Sequence, residues 1–459
     1  MSNSAIFVTI TILALAAFAF GRQRSLATVS GEISRLHSLP RHHGYFAASC
    51  AMIPALVVFT IWVIFGKDVL EGLMVAGLPE ETAALYQEQA TLVLNRIRLV
   101  VENGIGNEQD INIIAAANHF NGLYMYGIWA SFTLSIASGM IGLLTALHRT
   151  QPDFRARNYF EKILSVILIA SSTIAIVATL GIVFSLLFES LRFFNEVSVL
   201  DFVFGTKWSP QTALRPDQVG SSGAFGAVPL FMGTLLISFL AMLIAGPVGL
   251  FSAIYLTQYA STRVRKIGKP LLEVLAGVPT VVYGFFAALT IAPFFRDTGE
   301  MLGLSISSES ALAAGFVMGI MIIPFVSSLS DDAITAVPKS LKDGSLALGA
   351  TRSETIIKVL IPAALPGIVG AFLLAISRAV GETMIVVMAA GMQPNLTANP
   401  FEAVTTVTVQ IVALLTGDQE FDSAKTLSAF ALGLALFITT MLLNIGALRI
   451  VRKYREAYE

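Results

Sequence analysis

Residues 365–392, "LPGIVGAFLLAISRAVGETMIVVMAAGM", carry only two charges, Arg378 and Glu382. A bilayer core is crossed by about 20 apolar residues, so this run is long enough to span one. Similar runs recur along the 459-residue chain, of which 55% is hydrophobic and 13% charged. Soluble domains carry roughly a quarter charged residues. Mean hydropathy is +0.76. The composition therefore predicts an all-α, polytopic transmembrane helical bundle. A net charge of −1 gives no nucleic-acid signature. The single cysteine, Cys50, excludes a disulfide framework. The five histidines show no ligand spacing, and His42 and His43 read as solvated residues of a basic loop.

Nine spans are expected, at about 4–20, 45–66, 122–147, 163–188, 229–259, 270–293, 309–330, 366–392 and 425–448. The first has its arginines, Arg22 and Arg24, behind it, which suits an N-out anchor better than a cleaved signal. Alternate loops hold 20 of the 29 Lys and Arg residues, including the sets around Arg35, Arg155, Arg265, Lys342 and Arg452. The positive-inside rule then places those loops and the C-terminus in the cytoplasm and the N-terminus outside. Two outer segments are long, 67–121 and 189–228. Within the first, Leu85, Leu92 and Leu99 predict an external helix over 79–103 with one apolar stripe. Gly246-Pro247, Pro279, Pro324 and Pro394 interrupt spans, and a proline there frees backbone groups that neighbours must satisfy.

Arg378 and Glu382 are four residues apart, so a continuous helix puts them on one face and lets them pair. An ionised residue at mid-bilayer costs about 2.5–3.5 kcal/mol on insertion scales and is functional by default. A buried ion pair stabilises less than apolar packing does, so stability alone is a weak reason for it. Ser377 and Thr383 flank the pair.

The inner segment 331–368 has helix punctuation of its own. Ser340 followed by Asp343 reads as an N-cap pair, and Thr351 with Glu354 as a capping box. Gly349 between them suits a left-handed helix stop. Two short helices meeting in an elbow at Gly349 are expected, with apolar residues offered to a partner on the inner surface.

This segment resembles the cytoplasmic signature of ABC importer permeases, E-A-A, Gly after three residues, then I-x-L-P after nine more. Asp343, Gly344 and Ser345 stand at E-A-A, Gly349 at the glycine, and Val359, Ile361 and Pro362 at I-x-L-P. "EVLAGVPTVVYGFFA" (273–287), "LALGATRSETI" (346–356), "RAVGETMIVVMAAG" (378–391) and "VSVLDFVFGTKWSP" (197–210) look like the phosphate-importer permeases of the PstC/PstA family. The resemblance covers about 163–459.

What the resemblance implies is a six-helix permease core over 156–459, with a cytoplasmic coupling segment at 338–365. Residues 1–155 form an extension of about three further spans. It implies a subunit of an ATP-driven phosphate importer in a bacterial inner membrane. The implied partners are an ATP-binding subunit, a sister permease giving a heterodimer, and an external phosphate-binding protein, all around the lipid bilayer, with no cofactor and no nucleic acid. Asp343, Gly344, Ser345, Gly349, Thr351, Glu354 and Pro362 are expected to couple to the ATPase, and Arg378, Glu382 and Thr383 to line the translocation path. The chain itself has no G-x-x-x-x-G-K-[ST] loop, since Gly66-Lys67 precedes Asp and Gly268-Lys269 precedes Pro. ATP hydrolysis is expected on another chain, and no catalytic residues are expected here.

An arginine fork matches two phosphate oxygens. Glu382 is expected to occupy Arg378 when phosphate is absent and to accept the O–H that phosphate keeps and sulfate lacks. Other readings stay open at this point. They are a permease for sulfate, molybdate or phosphonate, a membrane signalling partner of the binding protein, and a secondary transporter using Arg378 and Glu382 as a proton–anion relay.

Overall fold

Long apolar segments with few charges close their backbone hydrogen bonds internally, and helices do this where no water is available. The computed structural model describes residues 3–77, 93, 95–101, 111–210, 223–416 and 423–455. Among these, eight helices are long and apolar enough to cross a membrane, or nine if a bent pair counts as one span. The chain divides into two compact units, Met1–Val177 and Ala178–Glu459.

The first unit contains α1 (Asn3–Thr28), α2 (Pro40–Ala76) and α3 (Ile111–Arg149), and α4 (Ala156–Glu196) begins in it. Glycine brings α2 and α3 into backbone contact. A Cβ at Gly142 would fall against the Cys50 carbonyl, and one at Gly139 only 3.0 Å from that of Ala51. His43 departs from the solvated-loop expectation. Helix α2 starts at Pro40, so His43 lies within it, fully buried and facing the Phe154 ring at 6.0 Å. Most of the expected external helix, including Leu85 and Leu92, lies outside the described residues. Residues 93 and 95–101 are helical, and there Val93 and Ile97 are buried while Leu99 is 57% exposed. Leu99, the one leucine of the expected stripe among the described residues, thus lies on the exposed side of this helix.

The second unit opens with α5 (Val199–Phe204) and a two-residue ribbon, β1 (Trp208–Ser209) antiparallel to β2 (Ala224–Phe225), with Trp208 opposite Phe225. Phe193, Phe202, Trp208 and Phe225 pack edge to face beneath it. Then follow α6 (Val228–Ile254), α7 (Thr262–Ala276), α8 (Thr280–Phe286), α9 (Ala292–Met301) and α10 (Ala311–Thr335). The chain ends with α11 (Lys339–Ala347), α12 (Arg352–Thr355), α13 (Ile361–Val380), α14 (Met384–Ala389), α15 (Val407–Leu415) and α16 (Ala424–Arg455). Wide π turns join some of these: Tyr255–Tyr259 after α6, Ala287–Ile291 between α8 and α9, and Ile356–Leu360 between α12 and α13.

Two expected spans are broken. The one at 270–293 is a pair of helices, α7 and α8–α9, bent by 86°. Gly277 caps α7, and Pro279 disfavours the helical region for Val278 before it. The one at 366–392 stops at Val380, with Gly381 as its C-cap, and helix resumes only at Met384.

Helix α10 is the axis of this unit. Of its apolar stretch, 61% is buried, against none of α4's. Ser310 caps it, its hydroxyl accepting from the Ala313 N–H at 3.3 Å. Gly315 and Gly319 form a small-xxx-small face against α6, as close helix pairs in membranes require. A Cβ at Gly319 would stand 3.0 Å from the Ala241 carbonyl and 3.1 Å from the Ile244 Cβ. One at Gly315 would stand 2.7 Å from the Leu240 Cβ. Gly319→Leu should therefore overpack this seam and destabilise the fold by about 1–3 kcal/mol. Gly181→Leu, on a helix with nothing near its added Cβ, should not. Thermal unfolding of the two purified variants, followed by loss of the monodisperse chromatographic peak, checks this.

Candidate functional site

The site is built on one helix. From Arg352 to Val380 the chain runs as a continuous 29-residue span through the π turn at 356–360. At 1.5 Å per residue it is about 43 Å long. The residues expected to couple lie at its start, and those expected to meet substrate at its end.

At the start, α11 closes in a Schellman motif. The Gly349 N–H bonds to the Leu346 carbonyl at 3.0 Å, and that of Ala350 to Ser345 at 3.2 Å. Gly349 has φ +88° with open space around it. The expected capping box is present: the Glu354 N–H donates to the Thr351 hydroxyl at 3.3 Å, and the Thr351 N–H to the Glu354 carboxylate at 2.9 Å. A 2.9 Å hydroxyl contact between Ser345 and Thr355 pins the two arms together. Leu348 at the tip is 92% exposed, and Leu341 and Ile357 nearby are 47% and 62% exposed. Asp343 and Gly344 lie on exposed surface of α11.

Two expectations are corrected here. Ser340 does not cap α11, because the helix already begins at Lys339 behind Pro338 and no side-chain cap forms. A proline suits the start of a helix, whose first N–H groups have no intrahelical partner. The second arm is not a separate short helix either. The box at Thr351 opens the span itself, and Pro362 lies at the entry of α13 where its missing N–H is tolerated.

At the far end, Gly381 stops α13 one residue before Glu382. Arg378 and Glu382 therefore do not share a helical face, and no ion pair joins them. The Arg378 guanidinium lies 5.7 Å from the centre of the Phe325 ring on α10, within cation–π range. Arg378 is exposed in the chain and, among the described residues, its side chain donates no hydrogen bond. Glu382 is held in the break. Its carboxylate accepts from the Met384 N–H at 3.2 Å, its carbonyl accepts from the Thr408 hydroxyl at 2.8 Å, and its N–H bonds to Ala379 at 3.2 Å. Thr383 is half-buried beside it, its hydroxyl 3.4 Å from the Gly381 carbonyl.

Sequence reading passed over two clusters. "TTVTVQ" (405–410) supplies a buried polar layer: Gln410 accepts from the Trp208 indole N–H at 3.0 Å and donates to the Met392 carbonyl at 3.1 Å and the Thr405 hydroxyl at 3.2 Å. The signal was polar residues inside an apolar stretch. On the other side, Asp331 is 3% exposed and receives Arg265 at 3.0 Å and Lys269 at 2.8 Å, tying α7 to α10. The spacing of Arg265 and Lys269, four apart on one helix opposite "SDDA", was the signal. Lys342 reaches Gln258 at 2.8 Å and links α11 to the π turn after α6.

Residues 7–178 match the family described as phosphate ATP-binding cassette transporter, and residues 245–456 match binding-protein-dependent transport system inner membrane component. The probable ABC transporter permease protein YqgH of Bacillus subtilis (strain 168) is 35% identical over 281 residues, covering 60% of this chain and 86% of that protein. The phosphate transport system permease protein PstC of Mesorhizobium japonicum is 32% identical over 291 residues, covering 60% and 84%. Among solved structures, the inward-facing MetNI methionine ABC transporter aligns at a TM-score of 0.37 and 21% identity, over 50% of this chain and 94% of that one. The fold and the elbow define a membrane permease subunit of the ABC class, whose ATPase is a separate chain. Within that class the chain belongs to the PstC-like permeases.

The Asp331 cluster is testable without a transport assay. Asp331→Asn should cost on the order of 1–3 kcal/mol, below the 3–5 of a fully buried pair, because both cations keep part of their side chains in solvent. Asp332→Asn, whose side chain is 65% exposed, should cost little. Melting temperatures of the purified proteins decide.

Proposed function

We propose that this chain is the phosphate-conducting permease subunit of an ATP-driven importer in a bacterial inner membrane, with its N-terminus outside and its C-terminus in the cytoplasm. In this reading residues 156–459 are the translocation core, alongside a sister permease. An external binding protein delivers phosphate, and an ATP-binding subunit docks on 338–365 through Asp343, Gly344, Ser345 and the elbow at Gly349. Residues 1–155 are an addition to that core.

The observation that carries the reading is Arg378. A guanidinium inside an apolar span, resting on an aromatic ring and committed to no carboxylate, keeps its planar fork of donors for an oxyanion. In a low-dielectric path its charge offsets part of the anion's desolvation cost. The chain's relatives include proteins named as phosphate transport permeases, which supports phosphate as the anion. Glu382 contributes differently from a simple counter-ion. Its carboxylate sits one residue beyond the helix end and orients the start of α14 through the Met384 N–H. The same charge, near an anion on Arg378, repels a fully deprotonated species and accepts from a protonated one. Because the elbow and the break lie at the two ends of one span, a push by the ATPase at Gly349 is carried along the axis of that span toward Arg378.

Uptake of labelled phosphate by cells tests the path. Arg378→Ala should abolish it while the ATPase still co-purifies, and Arg378→Lys should also be impaired, because an ammonium lacks the bidentate fork. Glu382→Gln keeps an acceptor for Met384 but removes the charge, so uptake should persist while sulfate becomes a competitor. Normal uptake by Arg378→Ala would make Arg378 structural.

Gly349→Val tests the coupling. A β-branched residue resists φ +88°, although the added side chain has room. Expression should be retained, and stimulation of ATP hydrolysis by loaded binding protein in reconstituted vesicles should be lost. Full stimulation would remove 338–365 from the coupling role.

A further inference from the structure

In the first unit, where α2 leaves its apolar run, a cavity of about 250 Å³ opens between α1, α2, α3 and the 95–101 helix. Its charged residues, among those described, are Lys67, Arg98 and Glu71. Arg98 is paired through one nitrogen, Nη2, at 2.6 Å from the Glu71 carboxylate. The Arg98 Nε is buried without an acceptor, and among the described residues Lys67 has neither an ion pair nor a hydrogen bond. Among the described lining residues two cations therefore face one carboxylate, which leaves a net positive charge.

The opposite wall is apolar and preformed. The Trp62 indole is slotted between two glycines: a Cβ at Gly66 would stand 2.8 Å from the ring, and one at Gly127 would collide with it. Only glycine leaves room for the ring at both positions, so its orientation is fixed by backbone. Tyr124 is 43% exposed at the rim, and Val63 at 52% continues onto the exposed apolar side of α2 through Ile64 and Phe65. Aromatic side chains beside the first lysine of a span mark the headgroup level of a bilayer. The volume is several times the roughly 30 Å³ that one water takes in the liquid. A lone tetrahedral ion would leave most of it unfilled.

We propose that this cavity binds a phosphate group bearing an apolar arm, the headgroup end of an anionic phospholipid, with its oxygens on Arg98 and Lys67 and its arm along Trp62 and Val63. The site lies wholly in the extension and does not depend on the transport reading.

The full-length chain, purified in a neutral detergent, is titrated with dihexanoyl phosphatidylglycerol and separately with inorganic phosphate, and thermal unfolding is followed. The lipid should raise the midpoint. Lys67→Gln, which breaks no ion pair or hydrogen bond among the described residues, should raise the half-maximal lipid concentration about tenfold, equivalent to about 1.4 kcal/mol. Arg98→Gln should weaken the response further, and Lys67→Gln remains decisive if that variant fails to fold. A rise with inorganic phosphate at similar concentrations, weakened by Lys67→Gln, would uphold the phosphate site but overturn the lipid assignment. A lipid response unchanged in Lys67→Gln, or no response to either probe, would overturn the site.

Discussion

The helix that runs unbroken from Arg352 to Val380 is the constraint on which the rest of the second unit hangs. It begins at a capping box and ends at a glycine, so both of its limits are set by local chemistry. Because it is continuous, a displacement of the exposed elbow along the helix axis is carried to the residues at the break. The other elements hold that rod: α10 presses on it where a Cβ at Gly367 would stand 2.6 Å from the Ala333 Cβ, and Phe372 lies against Gly246 of α6. Without this seam of small residues the rod would have no fixed track.

Much of this was legible in the sequence, and the parts that were not have physical reasons. Apolar runs gave the spans because their length and lack of charge leave the backbone few alternatives. Gly349 and the Thr351–Glu354 box were readable because caps are short-range chemistry, decided by residues three apart. The break after Val380 was not, since Gly381 inside an apolar helix is as often a packing glycine as a stop. What holds the break open is Thr408, bonded to the Glu382 carbonyl from 26 positions away. A pairing rule for residues four apart assumes a helix, and tertiary contacts removed that assumption. His43 failed for the opposite reason: the helix began earlier than its apolar run and carried a polar residue inside.

Of the residues expected at the site, Thr351, Glu354, Ser345 and Gly349 are brought together at one end; at the other, Arg378 faces the Phe325 ring from the last turn, while Glu382 and Thr383 lie in the break beyond Gly381. Asp331, Gln410 and Trp208 belong to the framework that fixes these ends. Gln410 bridges the β1–β2 ribbon to the backbone near Met392, so the break sits on a polar layer that cannot slide without losing buried hydrogen bonds.

The π turn at Ile356–Leu360 has a geometric consequence for that rod. A π turn holds one residue more than the α turn it replaces. Were it to tighten to α geometry by passing that residue along the helix, everything beyond would rotate by about 100° relative to the elbow. The rod is thus also a screw with a single stored step. Turning it would swing the guanidinium of Arg378 off the Phe325 ring while leaving the helix axis in place.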